Sequence, residues 1–228
     1  MTASATCDVY IARLLHLRDH HLGLLDGPEN ERRSRYRIAA DRDRFTLATA
    51  LLRTAVGQRF GLDASAVVID RTCDSCGQPH GRPRLPMTGL HTSISHSGDL
   101  VAVAITSAGP VGVDVEFIGA SSYPEILASV CTREEQQFVH TAVDFYSYWV
   151  RKEAVLKATG EGLNRAMTEV VVTPAGVDPA LLSAARLSPQ GCQMADLHAE
   201  DHAGAVAVIT LDPVSFAEID ADALLEDV

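Results

Sequence analysis

Two lysines mark the segment of this chain that is best suited to chemistry. Of the 19 lysines and arginines, only Lys152 and Lys157 are lysines, and both lie in Trp149-Val-Arg-Lys-Glu-Ala-Val-Leu-Lys157. An ammonium group is a compact, mobile cation that the broad guanidinium fork does not replace one for one. If the segment is helical, Glu153 lies one turn from both Trp149 and Lys157. An acid, a cation and an indole on one side of a helix form a candidate active site.

The alternative is an ordinary Glu-to-Lys pair, which stabilises a helix by about 0.2–0.5 kcal/mol. Taken alone, Glu153 and Lys157 fit that alternative better. It is weakened because both lysines and the only tryptophan of the chain occur in the same segment. Lys152 points about 100° away from Glu153, and we expect it to serve a different contact.

A second acidic motif lies upstream, in Gly112-Val-Asp-Val-Glu116. On a strand, alternation places Asp114 and Glu116 on one face and the valines on the other. Two converging carboxylates repel each other unless a cation neutralises them, and their hard oxygens suit magnesium. Glu153 is the candidate third ligand. A solvated strand face is the alternative for this pair.

The hydrophobic pattern predicts alternating strands and helices. Apolar residues recur at helical spacing over residues 47–60, and Gly61 supplies a cap. The other predicted helices span residues 132–140, opened by a Thr132–Glu135 capping box, and about 144–159, stopped by Gly160. The predicted strands are 67–70, 101–106, Val111–Phe117, 169–173 and 205–211, with a hairpin-like turn between the second and the third. The acidic C-terminal end is predicted to be a short helix or a frayed tail.

One short stretch of sequence occurs twice. Leu100-Val-Ala-Val-Ala-Ile-Thr106 is echoed by Gly204-Ala-Val-Ala-Val-Ile-Thr210. Two related α/β halves would explain the echo, and so would two unrelated buried hairpins. Only the first copy is followed by the acidic motif, so a carboxylate site would exist once.

Composition limits the environment and the ligands. The chain has no apolar run of about 18 residues, no basic-then-apolar start, and five cysteines, an odd count. We therefore expect a cytoplasmic protein with reduced thiols and no membrane contact. The net charge is −11, yet seven arginines lie between Arg32 and Arg53. This patch suits a small phosphorylated ligand rather than nucleic acid, and a solvated helix face is its alternative.

Cys73-Asp-Ser-Cys76 followed by His80 is a separate motif. These residues supply three local ligands for zinc, whereas a closed tetrahedral site needs four. His91 or His96 would have to complete it. Free or structural thiols are the default expectation for the two cysteines.

The pairing of Gly112-Val-Asp-Val-Glu116 with the Trp149–Lys157 segment resembles the signature of the 4′-phosphopantetheinyl transferases of the surfactin-synthetase-activating (Sfp) type. Three further segments resemble the same family, and together the motifs cover most of residues 30–165. They are Asp41-Arg-Asp-Arg-Phe45 with Leu52-Arg53, Gly77-Gln-Pro-His-Gly-Arg-Pro83, and Ser93-Ile-Ser-His-Ser-Gly98.

The pattern and the resemblance together predict an α/β (α+β) fold, a pseudo-dimer of two similar α/β halves. Each half is a small sheet packed with a long helix, and coenzyme A lies in the cleft between them. Residues 1–109 would form the N-terminal half, with the adenosine and 3′-phosphate contacts. Residues 110–228 would form the C-terminal half, with the metal and the catalytic residues. The protein is expected to be a monomer.

The resemblance implies transfer of the phosphopantetheine arm of coenzyme A to a serine of an apo acyl or peptidyl carrier protein, with Mg²⁺, or alternatively Mn²⁺. Asp114, Glu116 and Glu153 would hold the metal. Glu153 would also take the serine proton, unless metal-bound water does so, and Lys157 would stabilise the leaving group. Arg44 and Arg53 would lie near the 3′-phosphate, and Lys152 would line the site. Residues implied to form the adenosine and phosphate cradle are Gly81, Arg82, Pro83, Ser95 and His96.

Two other functions stay open at this level. One is a coenzyme A-binding sensor without catalysis, and the other is a magnesium-dependent hydrolase of the same pyrophosphate. Glu153 beside the two strand acids favours catalysis, because binding alone needs no base. The carrier-docking surface is expected in 123–130 and 138–148, with Phe138 and Phe145 assigned to the core.

Overall fold

Two β-sheets lie face to face between two long helices. The structure is a computed structural model that describes residues 5–86, 88–119, 123–161 and 165–226. Its strands are β1 (Ala5–Arg13), β2 (His91–Ser97), β3 (Leu100–Thr106), β4 (Val111–Phe117), β5 (Val170–Val172), β6 (Leu181–Ala184), β7 (Cys192–Ala199), β8 (His202–Ile209) and β9 (Val214–Asp220). Its α-helices are α1 (Gly27–Ser34), α2 (Ala39–Phe60), α3 (Leu127–Val130), α4 (Ala142–Thr159) and α5 (Asp222–Glu226).

Strand alternation builds three apolar layers from these elements. The first sheet has the order β2-β3-β1-β9 and the second β4-β8-β7, while β5 and β6 form a separate pair. On β3, Val101 and Val103 face α2, whereas Ala102 and Ala104 face the second sheet. On β8 the alanines face α4 and the valines face the first sheet. The result is a helix–sheet–sheet–helix stack.

The two halves repeat one topology, which confirms the expected α/β fold of two similar halves. The units β1-α2-β2-β3 and β4-α4-β7-β8 each place the first strand beside the last one, with antiparallel neighbours. The echoed sequence segments are β3 and β8, which are equivalent central strands. However, β9 pairs in parallel with β1, and α5 packs on α2. The end of the chain therefore belongs to the first sheet, and the division at 109/110 stays a prediction.

The helix ends follow the sequence signals. Gly61 ends α2 and Gly160 ends α4, with φ of +64° and +75°, a conformation that glycine adopts at little cost. Helix α4 begins after Thr141, whose hydroxyl accepts a hydrogen bond from the Asp144 amide. No helix in the described ranges has the length and apolar character needed to cross a membrane.

Several local predictions were wrong. Residues 67–70 form no strand, apart from an isolated bridge between Asp70 and Arg84. The turn after β3 does not close a hairpin, because β3 and β4 belong to different sheets. The Thr132–Glu135 capping box exists, but only a short 3₁₀ turn follows it. Strands β1, β2, β6, β7 and β9 were missed.

Gly112 sets the distance between β4 and α4. A Cβ atom at this position would lie 2.0 Å from the Ala154 carbonyl oxygen and 2.5 Å from the Ala158 amide nitrogen. The helix therefore touches the strand backbone at this point. This contact places the acids of β4 next to those of α4.

We expect Gly112→Ala to lower stability by about 1–3 kcal/mol, as overpacked cores do. The activity of a site built on these acids should fall by roughly 10²-fold, because displacing α4 misaligns the side chains that it carries. Gly23→Ala is the control, since a Cβ there meets nothing within 4 Å. Thermal unfolding and turnover of both variants would check this. Wild-type values for Gly112→Ala would show that the close contact is dispensable.

Candidate active site

A cleft of about 470 Å³ opens where the edge of the first sheet meets β4 and α4. Both halves supply its walls, as the sequence predicted for the coenzyme site. Its lining residues are Arg32, Tyr36, Phe45, Ala48, Arg71, Gly81, Pro83, Ile94, Ser95, His96, Asp114, Glu116, Trp149, Glu153 and Lys157.

A ladder of serine hydroxyls joins the two sheets beside this cleft. Alternate serines of β2, Ser93, Ser95 and Ser97, accept hydrogen bonds from the amides of alternate residues of β4, at 3.1–3.3 Å. Because strand alternation has a period of two, all three hydroxyls point to one side. Two of them also donate to the acids, Ser95 to Asp114 and Ser97 to Glu116, each at 2.8 Å. The ladder fixes the position of both carboxylates.

The structure brings the three predicted acids together. Asp114 is 3% exposed and Glu153 8% exposed, while Glu116 is partly exposed. Burial, followed by the charge of Asp114, raises the pKa of both Glu116 and Glu153. Among the described residues, neither Asp114 Oδ2 nor Glu153 Oε1 has a hydrogen-bond partner, although both are buried. Such atoms are costly unless a ligand satisfies them.

These observations fit a divalent cation. The site offers hard carboxylate oxygens with unsatisfied lone pairs and mutual repulsion, which a cation of the magnesium type relieves. The ligand atoms of the three acids are not all within 4.8 Å of one another, so the acids leave room for a ligand between them. Within the described ranges, only Cys73, Cys76 and His80 bring three ligand atoms within 4.8 Å of one another.

Lys157 supplies the cation of the site from α4. Its ammonium donates to Asp114 Oδ1 at 2.6 Å, to the Val113 carbonyl at 2.9 Å and to Ser95 Oγ at 3.0 Å. The side chain remains 28% exposed, so it can exchange one of these partners for an anion in the cleft. Trp149 lies on the same side of α4 and lines the cleft together with Glu116.

The opposite wall is basic and aromatic, and sequence reasoning missed most of it. The guanidinium groups of Arg32 and Arg71 lie 5.2 and 5.5 Å from the ring centroid of Phe45. Arginine on an aromatic face is a partly desolvated cation that can still bind phosphate. Arg32 was part of the predicted basic patch. Arg71 had no sequence signal, because it lies in a loop whose path depends on tertiary contacts.

Four of the predicted cradle residues line the cleft, namely Gly81, Pro83, Ser95 and His96. Burial, with the charges of Arg44 and Lys157, lowers the pKa of His96, so its imidazole is neutral at neutral pH. Arg44 thus lies near His96, but its guanidinium already binds Asp41 at 2.5 Å and the Gly98 carbonyl at 2.6 Å.

Arg53 does not reach the cleft, contrary to the sequence prediction. It is 3% exposed, donates to Glu29 at 2.8 Å and also binds the Val67 carbonyl. The second carboxylate oxygen of Glu29 lies 3.6 Å from Arg71. A buried arginine needs a buried acid, and here that acid also holds a cleft arginine. Arg53 therefore holds Glu29, whose second oxygen lies beside the cleft residue Arg71.

We expect Arg53→Ala to weaken coenzyme A and 3′-dephospho-coenzyme A by equal factors, since its guanidinium faces Glu29 and not the cleft. Stability should fall by about 1–3 kcal/mol because a buried charge loses a hydrogen bond. Titration of both ligands and thermal unfolding would measure these effects, with exposed Arg37→Ala as the control. If affinity fell for coenzyme A but not for 3′-dephospho-coenzyme A, Arg53 would contact the 3′-phosphate, as the sequence predicted.

Lys152 also lies outside the cleft, so its assignment to the site lining was wrong. It is fully buried, and its ammonium binds Glu135 at 2.5 Å, the Val130 carbonyl at 2.8 Å and the Met167 carbonyl at 3.3 Å. The 100° rotation between neighbouring helical residues directs Lys152 into the protein while Glu153 faces the cleft. Its role is structural.

The guanidinium of Arg82 is likewise engaged in hydrogen bonds to backbone carbonyl groups. Its guanidinium donates to the carbonyls of Val111 at 2.8 Å, Lys157 at 3.2 Å and Ala158 at 3.4 Å. The carbonyls at a helix C-terminus carry partial negative charge, which attracts a cation. Arg82 therefore braces the end of α4 and offers no free fork to a ligand.

Comparisons with known proteins agree with this geometry. A sequence model described as the 4′-phosphopantetheinyl transferase superfamily matches residues 110–207, which include both acidic motifs. The chain is 30% identical to the 4′-phosphopantetheinyl transferase HetI of Nostoc sp. over 71% of its length and 70% of that protein. It is 29% identical to psf-1 of Bacillus pumilus, over 78% and 71%, and 26% identical to Sfp of Bacillus subtilis, over 68% and 70%.

A solved structure shows a partial likeness. The holo-[acyl-carrier-protein] synthase of Thermotoga maritima superposes with a TM-score of 0.37 at 21% identity. The match covers 45% of this chain and 63% of that one.

Proposed function

Because this chain belongs to the 4′-phosphopantetheinyl transferase superfamily, we propose that it moves the phosphopantetheine arm of coenzyme A to a serine of an apo-carrier protein. The observation that carries the proposal is the buried acid trio with two unsatisfied carboxylate oxygens beside a lysine. Adenosine 3′,5′-bisphosphate is the leaving product. A pure binding site would not need such a costly arrangement of acids.

Asp114, Glu116 and Glu153 would hold the divalent cation, in agreement with their oxygen ligands. When bound, a magnesium ion neutralises the pyrophosphate and polarises its phosphorus centre. The serine ladder supports the two strand acids from behind, since Ser95 and Ser97 donate to one oxygen of each. The other oxygen of Asp114 is then left for the ligand.

Glu153 would take the proton of the carrier serine as its oxygen attacks the β-phosphate. Serine is a weak nucleophile at neutral pH and needs a base within hydrogen-bonding distance. Burial beside two other acids raises the pKa of Glu153, which makes its carboxylate a stronger base. One carboxylate oxygen of Glu153 would bind the cation and the other would take this proton; Oε1 has no hydrogen-bond partner among the described residues.

Lys157 would stabilise the negative charge that builds on the leaving pyrophosphate oxygen. Charge stabilisation by a preorganised cation is commonly the largest single contribution to catalysis. Three acceptors hold the ammonium at the cleft, and it would exchange one of them for the leaving oxygen. Arg32 and Arg71 on the opposite wall would bind the phosphates of the coenzyme.

The carrier protein would dock on residues 123–130 and 138–148, which include exposed apolar side chains. Ile126, Phe138 and Val143 are 42%, 55% and 52% exposed, whereas Phe145 is buried as expected. The exposure of Phe138 corrects its assignment to the core. Exposed apolar side chains suit an acidic carrier that an acidic protein would otherwise repel.

Coenzyme A consumption tests this function against the two alternatives. The protein should consume coenzyme A only when an apo-carrier and magnesium are both present. Consumption without a carrier would indicate a hydrolase. Binding of coenzyme A without consumption on any carrier would indicate a sensor.

A further inference from the structure

The loop of residues 70–84 is a compact unit outside the acid site. Reciprocal hydrogen bonds between the Asp70 and Arg84 backbones close it, at 2.9 and 2.8 Å. Inside, the Gly81 amide donates to the Arg71 carbonyl at 2.7 Å, and the Cys73 amide donates to the Gln78 carbonyl at 2.9 Å. The two arms of the loop therefore lie side by side.

A tight turn at the tip of this loop presents two thiols on one side. The Gly77 amide donates to the Cys73 carbonyl at 2.8 Å, and Gly77 has φ of +71°. The Ser75 hydroxyl lies 3.0 Å from the sulfur of Cys73. Hydrogen bonding to this sulfur, first from the Ser75 side chain and then from the backbone of Ser75 and Cys76, lowers the pKa of Cys73 to about 6.

His80 completes a set of three donor atoms. Its Nε2 atom lies 3.0 Å from Cys76 Sγ, and the donor atoms of Cys73, Cys76 and His80 all lie within 4.8 Å of one another. In a tetrahedral zinc site with bonds of about 2.0–2.3 Å, sulfur and nitrogen ligands lie roughly 3.5–3.8 Å apart. To reach that spacing, the Cys76 and His80 atoms move slightly apart, and any wider pair of the set closes by roughly 1 Å at most.

The donor set selects the kind of metal. Two sulfurs and one imidazole suit a borderline-soft ion such as zinc, whereas the carboxylates of the cleft suit magnesium. Cys76 and His80 are exposed, so solvent reaches the fourth position of a tetrahedral site. The remaining cysteines, Cys7, Cys131 and Cys192, are buried elsewhere in the fold.

We propose that Cys73, Cys76 and His80 bind a zinc ion, with water as the fourth ligand, at a site separate from the acid trio. The ion cross-links the two arms of the loop, and the protons that the two thiols still hold pass to solvent on binding. The zinc ion would not touch the substrates. It would affect the cleft through the loop, because the same loop places Arg71, Gly81 and Pro83 in the cleft lining. Gly81 packs against the backbone of residues 71–73, where a Cβ would approach to 2.7 Å.

Metal analysis tests the proposal without reference to transfer activity. The full chain is dialysed against zinc chloride and then against metal-free buffer, and bound zinc is measured by mass spectrometry. Wild type and the control Gln78→Ala, an exposed residue of the same loop, should retain one zinc per chain. Cys76→Ser and His80→Ala should each lose most of it, with unchanged circular dichroism. Equal zinc in all four proteins, or none in wild type, would overturn the proposal.

Thiol labelling gives a second, independent readout. In metal-free protein, a thiol reagent should label Cys73 and Cys76 quickly, and zinc should protect both. Amide exchange of residues 71–84 should slow when zinc is bound. A Cys73–Cys76 disulfide in protein purified without oxygen, or unprotected thiols at saturating zinc, would contradict the site.

Any chelator experiment must also distinguish the effect of losing magnesium from the effect of losing zinc. A chelator strong enough to remove magnesium from the cleft would also remove zinc from this loop. Restoring magnesium alone should restore most of the turnover, while restoring zinc alone should restore the thiol protection and not the turnover. Failure of the zinc proposal therefore leaves the proposed transfer reaction intact, and the reverse also holds.

Discussion

Replacing Glu153 with glutamine should lower transfer by roughly 10²–10⁴-fold, the usual contribution of a positioned general base. The amide has nearly the same shape as the carboxylate but accepts no proton, and it removes one anionic ligand of the cation. The fold should be unaffected, because the Oε1 atom of Glu153 has no hydrogen-bond partner among the described residues. Single-turnover kinetics at saturating coenzyme A would measure the loss.

Glu134→Gln is the matched control for this substitution. Glu134 is an exposed glutamate outside the cleft, and the same change there should leave turnover intact. Unfolding curves of both variants should coincide with that of the wild type. Undiminished transfer by Glu153→Gln would remove Glu153 from the mechanism and assign the proton to another acceptor.

The second large effect is on the free energy of unfolding, and it distinguishes the role of Lys152 from that of Lys157. Lys152→Met should lower the free energy of unfolding by about 3–5 kcal/mol, the cost of leaving one partner of a buried ion pair without its counter-charge. Glu135, which is 4% exposed, would keep only the Thr132 and Val172 amides as donors among the residues that the structure describes. Denaturant unfolding followed by circular dichroism would measure the change.

Lys157→Met provides the comparison within the same helix. Lys157 is partly exposed at the cleft, so its replacement should cost less stability and most of the catalytic rate. Lys152→Met should show the opposite pattern while it remains folded. If Lys152→Met instead kept its stability and lost coenzyme affinity, Lys152 would belong to the binding site after all.

The catalytic side of the cleft could be predicted because its signals are local. Alternation on one strand placed Asp114 and Glu116 together, and helical spacing placed Glu153 with Lys157. Both periodicities hold in the structure, and Gly112 brings the two elements into contact. The glycine caps at Gly61 and Gly160 were predictable for the same reason, because a left-handed residue favours one amino-acid type.

The binding side could not be predicted in the same way. Motif position placed Arg53, Arg82 and Lys152 at the ligand, yet each is taken up by a protein acceptor: the Glu29 carboxylate, the end of α4 and the Glu135 carboxylate. Those acceptors are distant in sequence, so no local pattern reports them. Arg71 reaches the cleft through the same kind of long-range contact.

The repeated topology shows a similar limit. Seven small apolar residues indicated two equivalent strands, and the structure places β3 and β8 at equivalent central positions. The pairing of β9 with β1 in the first sheet had no sequence signal, because all seven residues of β9 are exposed or only partly buried at the edge of that sheet. Edge strands of this kind carry little hydrophobic pattern.

The measurement that tests the central claim most directly is intact-mass spectrometry of apo-carrier proteins after incubation with this protein, coenzyme A and magnesium. The account predicts that at least one carrier gains the mass of one phosphopantetheine group, at its serine. The gain should require magnesium and be lost with Glu153→Gln. No gain on any carrier from a broad panel, with coenzyme A demonstrably bound, would contradict the proposed transfer reaction.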